Sequence, residues 1–86
     1  MPTISKFYGI KIMMFFDEHN PPHFHASYAE FNAIILINDP QVDEGYLPSK
    51  QLRLVLAWAE IHKKELLENW DNAKTIKKLN AIAPLR

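Results

Sequence analysis

The pattern of apolar residues changes near Pro48, and this change restricts the fold more than any other feature of the sequence. Before Pro48, apolar residues alternate with polar ones or form short runs in "GIKIMMFF", "HFHASYAE" and "FNAIILIN", as they do in β-strands. A further short strand is expected over residues 4–7, ending in a turn at Gly9. After Pro48, apolar residues recur every three or four positions, which indicates helices. The sequence therefore predicts strands first and helices second.

The helical region is expected to form two helices rather than one. Ser49 is a favourable N-cap for the first helix. A straight continuation of that helix would place Lys63 on its apolar side, so a break is expected near His62, followed by a second helix over about residues 64–74. The positions predicted to face the core are Leu52, Val55, Leu56 and Ala59 in the first helix, with Leu54, Trp58 and Ile61 widening its apolar side, and Leu66, Leu67, Trp70 and Ala73 in the second.

A chain of 86 residues is expected to form a single domain, residues 1–86, with little stability to spare. The connection through Ala29 and Glu30 suits a tight primed turn poorly, so a looser hairpin is expected there. Ile82 and Leu85 predict a C-terminal tail laid back on the body. The predicted fold is α+β, an antiparallel meander of three or four strands followed by two helices packed on one face.

The motif "HNPPHFH", residues 19–25, brings three of the four histidines together around a double proline. The prolines fix two φ angles and make a stiff connector that is not helical. Strand alternation then places His23 and His25 on one face and directs Phe24 the opposite way, into the core. The sequence therefore predicts a preorganised loop that presents two imidazoles side by side.

Three roles for these histidines are open from the residues alone. They can exchange protons near neutral pH. His23 and His25 can also bind a metal ion, with His19 and a carboxylate as further candidate ligands. In a purely structural role they would hydrogen-bond the loop backbone. The fourth histidine, His62, is expected to be a half-buried histidine of the helical core.

Charge and cysteine content exclude several classes of protein. The formal net charge is zero, but residues 44–86 carry eight Lys or Arg against five acids, a charge excess that fits a solvated tail better than a nucleic-acid surface. The absence of cysteine excludes disulfides, thiolate nucleophiles and cysteine zinc sites. The segment "MPTISKFYG" does not have the pattern of a secretory leader, and no apolar stretch approaches membrane-spanning length. We therefore expect a cytoplasmic protein without a membrane partner.

Four segments, "MPTISKFYGIKI", "HNPPHFH", "EGYLP" and "WAEIHKKELLENW", together resemble a small bacterial family of domains of unknown function, DUF4160. The resemblance extends from Pro2 to Leu85. It implies a compact cytoplasmic prokaryotic protein of no established activity, often encoded beside a second small protein in a toxin-antitoxin-like arrangement. In this family a glycine often follows the tyrosine after HFH, where the chain has Ala29. The residues that match the family's motifs include His19, Asn20, His23, His25, Glu44, Gly45, Trp58, His62, Glu65, Asn69 and Trp70.

These observations lead to the prediction of a toxin-antitoxin-like module component whose histidine loop acts on or binds RNA or a partner protein. In the RNA mechanism the histidines exchange protons while basic residues offset phosphate charge, and no metal is required. The candidate catalytic residues are His19, His23 and His25. The candidates for binding nucleic acid or a partner are Asn20, Lys6, Lys11 and Arg53.

Two alternatives remain open. The first is a non-catalytic adaptor or antitoxin with a structural histidine loop, which would dock through an apolar sheet face with Met13 and Phe15 exposed. The second is a metal-binding protein, for which His23 and His25 are the best candidate ligands. The expected partner is a second small protein encoded nearby, and RNA binding and a homo-oligomer are also compatible with the sequence.

Overall fold

A computed structural model describes residues 3–16 and 18–85. These residues form a five-stranded antiparallel sheet in which each strand pairs with the next along the chain, followed by two helices. The predicted α+β class, meander and helix pair are confirmed, and the sheet has one strand more than expected. The strands are β1 (Thr3–Phe7), β2 (Ile10–Met13), β3 (His23–Tyr28), β4 (Phe31–Leu36) and β5 (Val42–Gly45), and the helices are α1 (Ser49–Ile61) and α2 (Lys63–Lys74).

The first and third hairpins each close with two residues. Tyr8 and Gly9 connect β1 to β2 with φ values of 50° and 78°, the signs of a type I′ turn. Tyr28 pairs directly with Phe31, so only two residues connect β3 to β4 and the expectation of a looser hairpin is wrong. Ala29 has a φ of 52° in this turn. Six paired positions between the two strands offset the cost of placing an alanine in that conformation.

The core lies between the helices and one face of the sheet. Strand alternation directs Phe24 and Ala26 to this face, where both are buried. Trp58 of α1 is fully buried and packs against Phe24 and Phe7, with ring centroids 5.8 and 5.3 Å away. This packing fixes which face of β3 points inward and therefore leaves the histidines of that strand on the other side.

The predicted break between the helices is confirmed. The first helix ends at Ile61, and His62, with φ −107° and ψ 22°, separates it from α2. Trp58, Leu66, Trp70 and Ala73 are buried as predicted, and Leu67 is half-buried. Ile61, expected on the apolar side of the first helix, is instead exposed, because it is the last residue of α1.

The start of α1 differs from the prediction. Pro48 holds the N-cap position without a side-chain hydrogen bond, and Ser49 is the first helical residue. Proline has a φ of −57° here and needs no partner for a backbone N–H, so the predicted serine cap is wrong.

The tail lies against the body, as the sequence predicts. The Ile82 N–H donates to the Ile4 carbonyl at 2.8 Å, which extends the contact to the first strand. The buried Asn69 side chain donates to the Asn80 carbonyl and accepts from the Asn80 N–H, both at 2.8 Å. The Trp58 indole N–H donates to a further tail carbonyl at 2.9 Å. One buried amide therefore pairs with the tail as a neighbouring strand would.

Candidate functional site

The strand register gathers charged and polar side chains on the sheet face opposite Phe24. Lys6 of β1 lies directly across from Lys11 of β2, and both are exposed. Because alternate residues of a strand share a face, Met13 lies on the same side of β2 as Lys11. Met13 is paired with His25 of β3, which continues the row across the sheet to Ile34 and Glu44. We call this surface the open face and define it by Lys6, Lys11, Met13, His25, Ile34 and Glu44.

At one end of this face, Glu18, His23 and His25 form a cluster. Their candidate ligand atoms all lie within 4.8 Å of one another. His25 Nε2 donates to Glu18 Oε1 at 2.6 Å, and His23 Nε2 lies 3.4 Å from the same oxygen. The side chains of Glu18, His23 and His25 are 30%, 12% and 25% exposed, so solvent reaches the cluster without surrounding it.

Each imidazole ring of the cluster is held by an aromatic neighbour. The His23 ring packs on Trp70 of α2 at a centroid distance of 5.0 Å and an interplanar angle of 53°. The Phe15 ring meets His25 edge to face at 4.6 Å and 88°. These contacts fix the ring positions before any ligand arrives.

The loop backbone fixes the orientation of His23. Its Nδ1 lies 2.8 Å from the Pro21 carbonyl oxygen, which can only accept, so Nδ1 carries the hydrogen. In the neutral ring Nε2 is then the unprotonated nitrogen, and this is the nitrogen near Glu18. The same loop is tied to the sheet, because the Ile37 N–H donates to the Pro22 carbonyl at 3.1 Å.

Glu18 is stabilised as a carboxylate. Partial burial acts to raise the pKa of its carboxyl, but the hydrogen bond from His25 and the electrostatic attraction of the two imidazoles together outweigh burial. The pKa of Glu18 therefore lies below its usual value, and the cluster offers an ionised oxygen at neutral pH.

A shallow trough of about 350 Å³ adjoins the cluster on the open face. Its lining residues are mostly apolar but include His25 and Glu44: Met13, Phe15, His25, Ala26, Asn32, Ala33, Ile34, Glu44 and Gly45. A small molecule, a nucleotide or a side chain of a partner fits a space of this size and reaches His25 from it.

The structure brings together some of the predicted site residues. His23 and His25 share a cluster as predicted, and the carboxylate expected beside them is Glu18. His19 and Asn20 are exposed and lie outside this cluster, so His19 is not its third member. No sequence pattern singles out Glu18, because the turn that returns it to His25 depends on the register of β2 and β3.

The remaining predicted positions divide between the two sides of the molecule. Lys6 and Lys11 lie on the open face, whereas Arg53 is exposed on α1, whose Trp58 packs on the opposite face of the sheet. His62 is half-buried and pairs with Glu65, with 2.6 Å between Nδ1 and Oε1, as expected of a satisfied histidine.

The two apolar residues expected to be exposed are not. Met13 is buried and Phe15 is half-buried, because Phe15 packs its edge on His25. Both residues line the trough and do not form a protruding apolar patch. An interacting group must therefore enter the trough to touch them.

Two kinds of chemistry suit this arrangement. Paired imidazoles next to a carboxylate can accept and donate protons. Two histidine nitrogens and one carboxylate oxygen are also the ligand set of several catalytic metal sites.

Within the described part of the chain, no helix is long and apolar enough to cross a membrane. In the comparison with known proteins, no curated protein and no solved structure matches. Residues 9–71 match the family described as "Domain of unknown function (DUF4160)". This match covers more than half of the chain and includes the whole histidine cluster. The chain therefore belongs to the DUF4160 family of domains of unknown function.

Proposed function

We propose that this protein is a component of a toxin-antitoxin-like module and that it binds RNA on the open face, where the histidine cluster acts on the bound strand. The observation that carries the proposal is the common placement of Lys6, Lys11 and His25 on one side of the sheet. The module itself rests on the family resemblance, which implies a second small protein encoded nearby.

The lysine pair supports an anionic ligand. Like charges directly opposite each other on neighbouring strands destabilise a sheet, and Lys6 faces Lys11 across β1 and β2. Two phosphates of a nucleic acid strand would remove this repulsion and add favourable contacts. Lys11 and His25 also lie on adjacent strands at diagonal positions, because Lys11 precedes the partner of His25 by two residues. Such neighbours are about 7 to 8 Å apart, close to the spacing of successive phosphates.

The trough supports the binding of a base. Its apolar walls adjoin the imidazole of His25, and unstacked bases bind on aromatic and apolar surfaces of this kind. A single-stranded segment with its backbone along the lysines and one base in the trough would bring a phosphodiester near the cluster.

The test is the binding of a fluorescently labelled single-stranded RNA of about 20 nucleotides, followed by anisotropy at several salt concentrations. The double variant Lys6→Gln/Lys11→Gln is compared with Lys77→Gln/Lys78→Gln, which removes the same charge from the exposed tail. We expect the first variant to bind about tenfold more weakly and its salt slope to fall by about 1.4, or about 0.7 for each phosphate that a lysine no longer neutralises. Equal weakening by the two variants would show that binding follows net charge and would refute an RNA site on the open face.

A partner protein docking in the trough is the second candidate, and the apolar lining of the trough favours it. The half-buried Ile34 lies in the trough, and the exposed Ile61 lies on α1. If the trough holds a partner side chain, Ile34→Asp will abolish co-purification with the neighbouring gene product, while Ile61→Asp leaves it unchanged. RNA binding is measured on the same variants, so that the two candidates give different results.

A further inference from the structure

We propose that Glu18, His23 and His25 form a binding site for a single divalent transition-metal ion of the Zn²⁺ type. The donors would be Oε1 of the glutamate and Nε2 of each histidine, the ring nitrogen that lies near this oxygen in both cases. One ligand atom from each of the three residues lies within 4.8 Å of the others. Two imidazoles and one carboxylate are a ligand set that Zn²⁺ accepts in catalytic sites. A role for this ion in RNA chemistry rests on the proposed function. The existence of the binding site depends only on the geometry of the cluster.

The distances between donors fit a tetrahedral ion after a small movement. With metal-ligand bonds of about 2.0 to 2.1 Å, two ligands of a tetrahedral site lie about 3.3 Å apart. His23 Nε2 and Glu18 Oε1 are 3.4 Å apart, and His25 Nε2 and the same oxygen are 2.6 Å apart. The second pair must therefore separate by about 0.7 Å, which the partly exposed Glu18 side chain can provide. The two histidine nitrogens lie within 4.8 Å of each other and must approach by up to about 1.5 Å, which requires a small rotation of the rings.

The electrostatics of the cluster favour a cation between His23 and Glu18. Since Nδ1 of His23 donates to the Pro21 carbonyl, the neutral ring holds an electron pair on Nε2. That electron pair lies 3.4 Å from Glu18 Oε1, so a cation placed between the two atoms would contact both donors. A metal ion in this place would bind both atoms, and His25 would give up the proton on Nε2 when it joins them as the third ligand.

Contacts around the cluster resemble the outer support of known metal sites. A ligating histidine commonly donates its second ring N–H to a backbone carbonyl, as His23 does to Pro21. Trp70 and Phe15 fix the two rings from outside. With three protein ligands, a fourth position remains for water or a phosphate oxygen, and the trough beside His25 gives access to the cluster.

The chain contains an internal control for this site. His62 and Glu65 form a second histidine-carboxylate pair, with 2.6 Å between Nδ1 and Oε1, the same separation as between His25 Nε2 and Glu18 Oε1. Within the described residues no third donor joins them in a cluster of three. Their removal should therefore leave specific metal binding unchanged, although the pair has the same local chemistry.

The test uses full-length protein purified without an affinity tag and freed of metal with a chelator. Zn²⁺ is titrated by calorimetry and against a chromophoric chelator, and Co²⁺ is added in parallel, because its visible spectrum reports the coordination geometry. The variants are Glu18→Gln and His25→Gln at the site, with His62→Gln and His19→Gln as controls. His23→Gln is also prepared, but the conclusion does not depend on it, because His23 contacts Trp70 and the variant can lose stability.

We expect one Zn²⁺ per wild-type chain, a rise of the melting temperature on Zn²⁺ addition, and intense Co²⁺ bands of a four-coordinate site. Glu18→Gln and His25→Gln should each weaken Zn²⁺ binding at least about 100-fold and abolish the thermal shift. The two controls should bind within about twofold of wild type. Folded Glu18→Gln and His25→Gln proteins that bind Zn²⁺ like wild type would overturn the proposal, and so would equal loss in His19→Gln. RNA anisotropy is recorded separately with Zn²⁺ and with chelator. A protein that binds RNA but no metal would refute only the metal site, and a protein that binds metal but no RNA would refute only the proposed function.

Discussion

Replacing His23 by alanine should lower the free energy of unfolding more than replacing His25 does, although the two residues are neighbours on the same strand face. The His23 variant loses a hydrogen bond to the Pro21 carbonyl, worth about 0.5 to 1.5 kcal/mol. It also loses the ring packing on Trp70, worth about 0.5 to 1.5 kcal/mol more. We therefore expect His23→Ala to lower the free energy of unfolding by about 1 to 3 kcal/mol.

His25 has less to lose. Its hydrogen bond to Glu18 is partly open to solvent, and exposed charged pairs contribute about 0 to 1 kcal/mol. Its edge-to-face contact with the half-buried Phe15 adds about 0.5 kcal/mol, the lower end of the range for aromatic pairs, because both rings are partly exposed. For a domain of this size about 1 kcal/mol corresponds to 4 to 8 °C in melting temperature. His23→Ala should therefore melt about 8 to 16 °C below wild type for a loss near 2 kcal/mol, and His25→Ala about 4 to 8 °C below wild type for a loss near 1 kcal/mol.

Thermal and urea melts of the purified variants measure this difference, with chelator present so that bound metal adds nothing. His19→Ala serves as the control, because His19 is exposed, and its free energy of unfolding should lie within about 0.5 kcal/mol of wild type. If His25→Ala loses as much stability as His23→Ala, then His25 is a structural residue and the reasoning from its exposure is refuted. A His23→Ala protein with wild-type stability would show that the contact with Trp70 does not contribute the free energy given above.

Three further changes test the fold that supports the cluster. Ala29→Gly should raise the free energy of unfolding by about 0.5 to 1 kcal/mol in urea melts, since φ is 52° there, whereas Glu30→Gly in the same turn should not stabilise. Gly45→Ala should cost at least about 2 kcal/mol or prevent folding, because φ is 86° and a methyl group would meet backbone atoms of β4; a soluble variant with wild-type melting would contradict this. Asn69→Ala should cost about 1 to 3 kcal/mol and expose the tail to limited proteolysis, because both hydrogen bonds to the tail are removed. Asn72→Ala on the same helix is the control, and faster cleavage there too would indicate general loosening of α2.

Strand and helix periodicity could be read from the sequence where one side of an element is buried. The alternation around Phe24 predicted correctly that this ring enters the core and that the flanking histidines point away from it. The break at His62 was predictable because a continuous helix would have carried Lys63 to its apolar side. Both inferences depend only on local geometry and on the cost of burying charge.

Features that depend on pairing between distant segments could not be read in this way. The fifth strand, Val42–Gly45, has three exposed residues out of four, so no apolar pattern marks it. Its place is fixed by the register with β4 and by Gly45, whose backbone passes close to that strand. Glu18 is likewise unmarked, because its approach to His25 follows from the turn between β2 and β3 and not from spacing in the motif.

The double proline unites the structural and the functional interpretations of "HNPPHFH". Neither proline can donate a backbone hydrogen bond, yet both carbonyls accept one. The Pro22 carbonyl accepts from Ile37 and ties the loop to the end of β4, while the Pro21 carbonyl accepts from His23 and fixes which nitrogen of that ring meets Glu18. The same stiff backbone that forms the turn therefore sets the tautomer and direction of a site residue. A loop made only to connect strands would not need the second of these bonds, because a solvent-facing carbonyl is satisfied by water. The orientation of His23 towards an ionised carboxylate is thus the feature that most strongly favours a site over a simple turn.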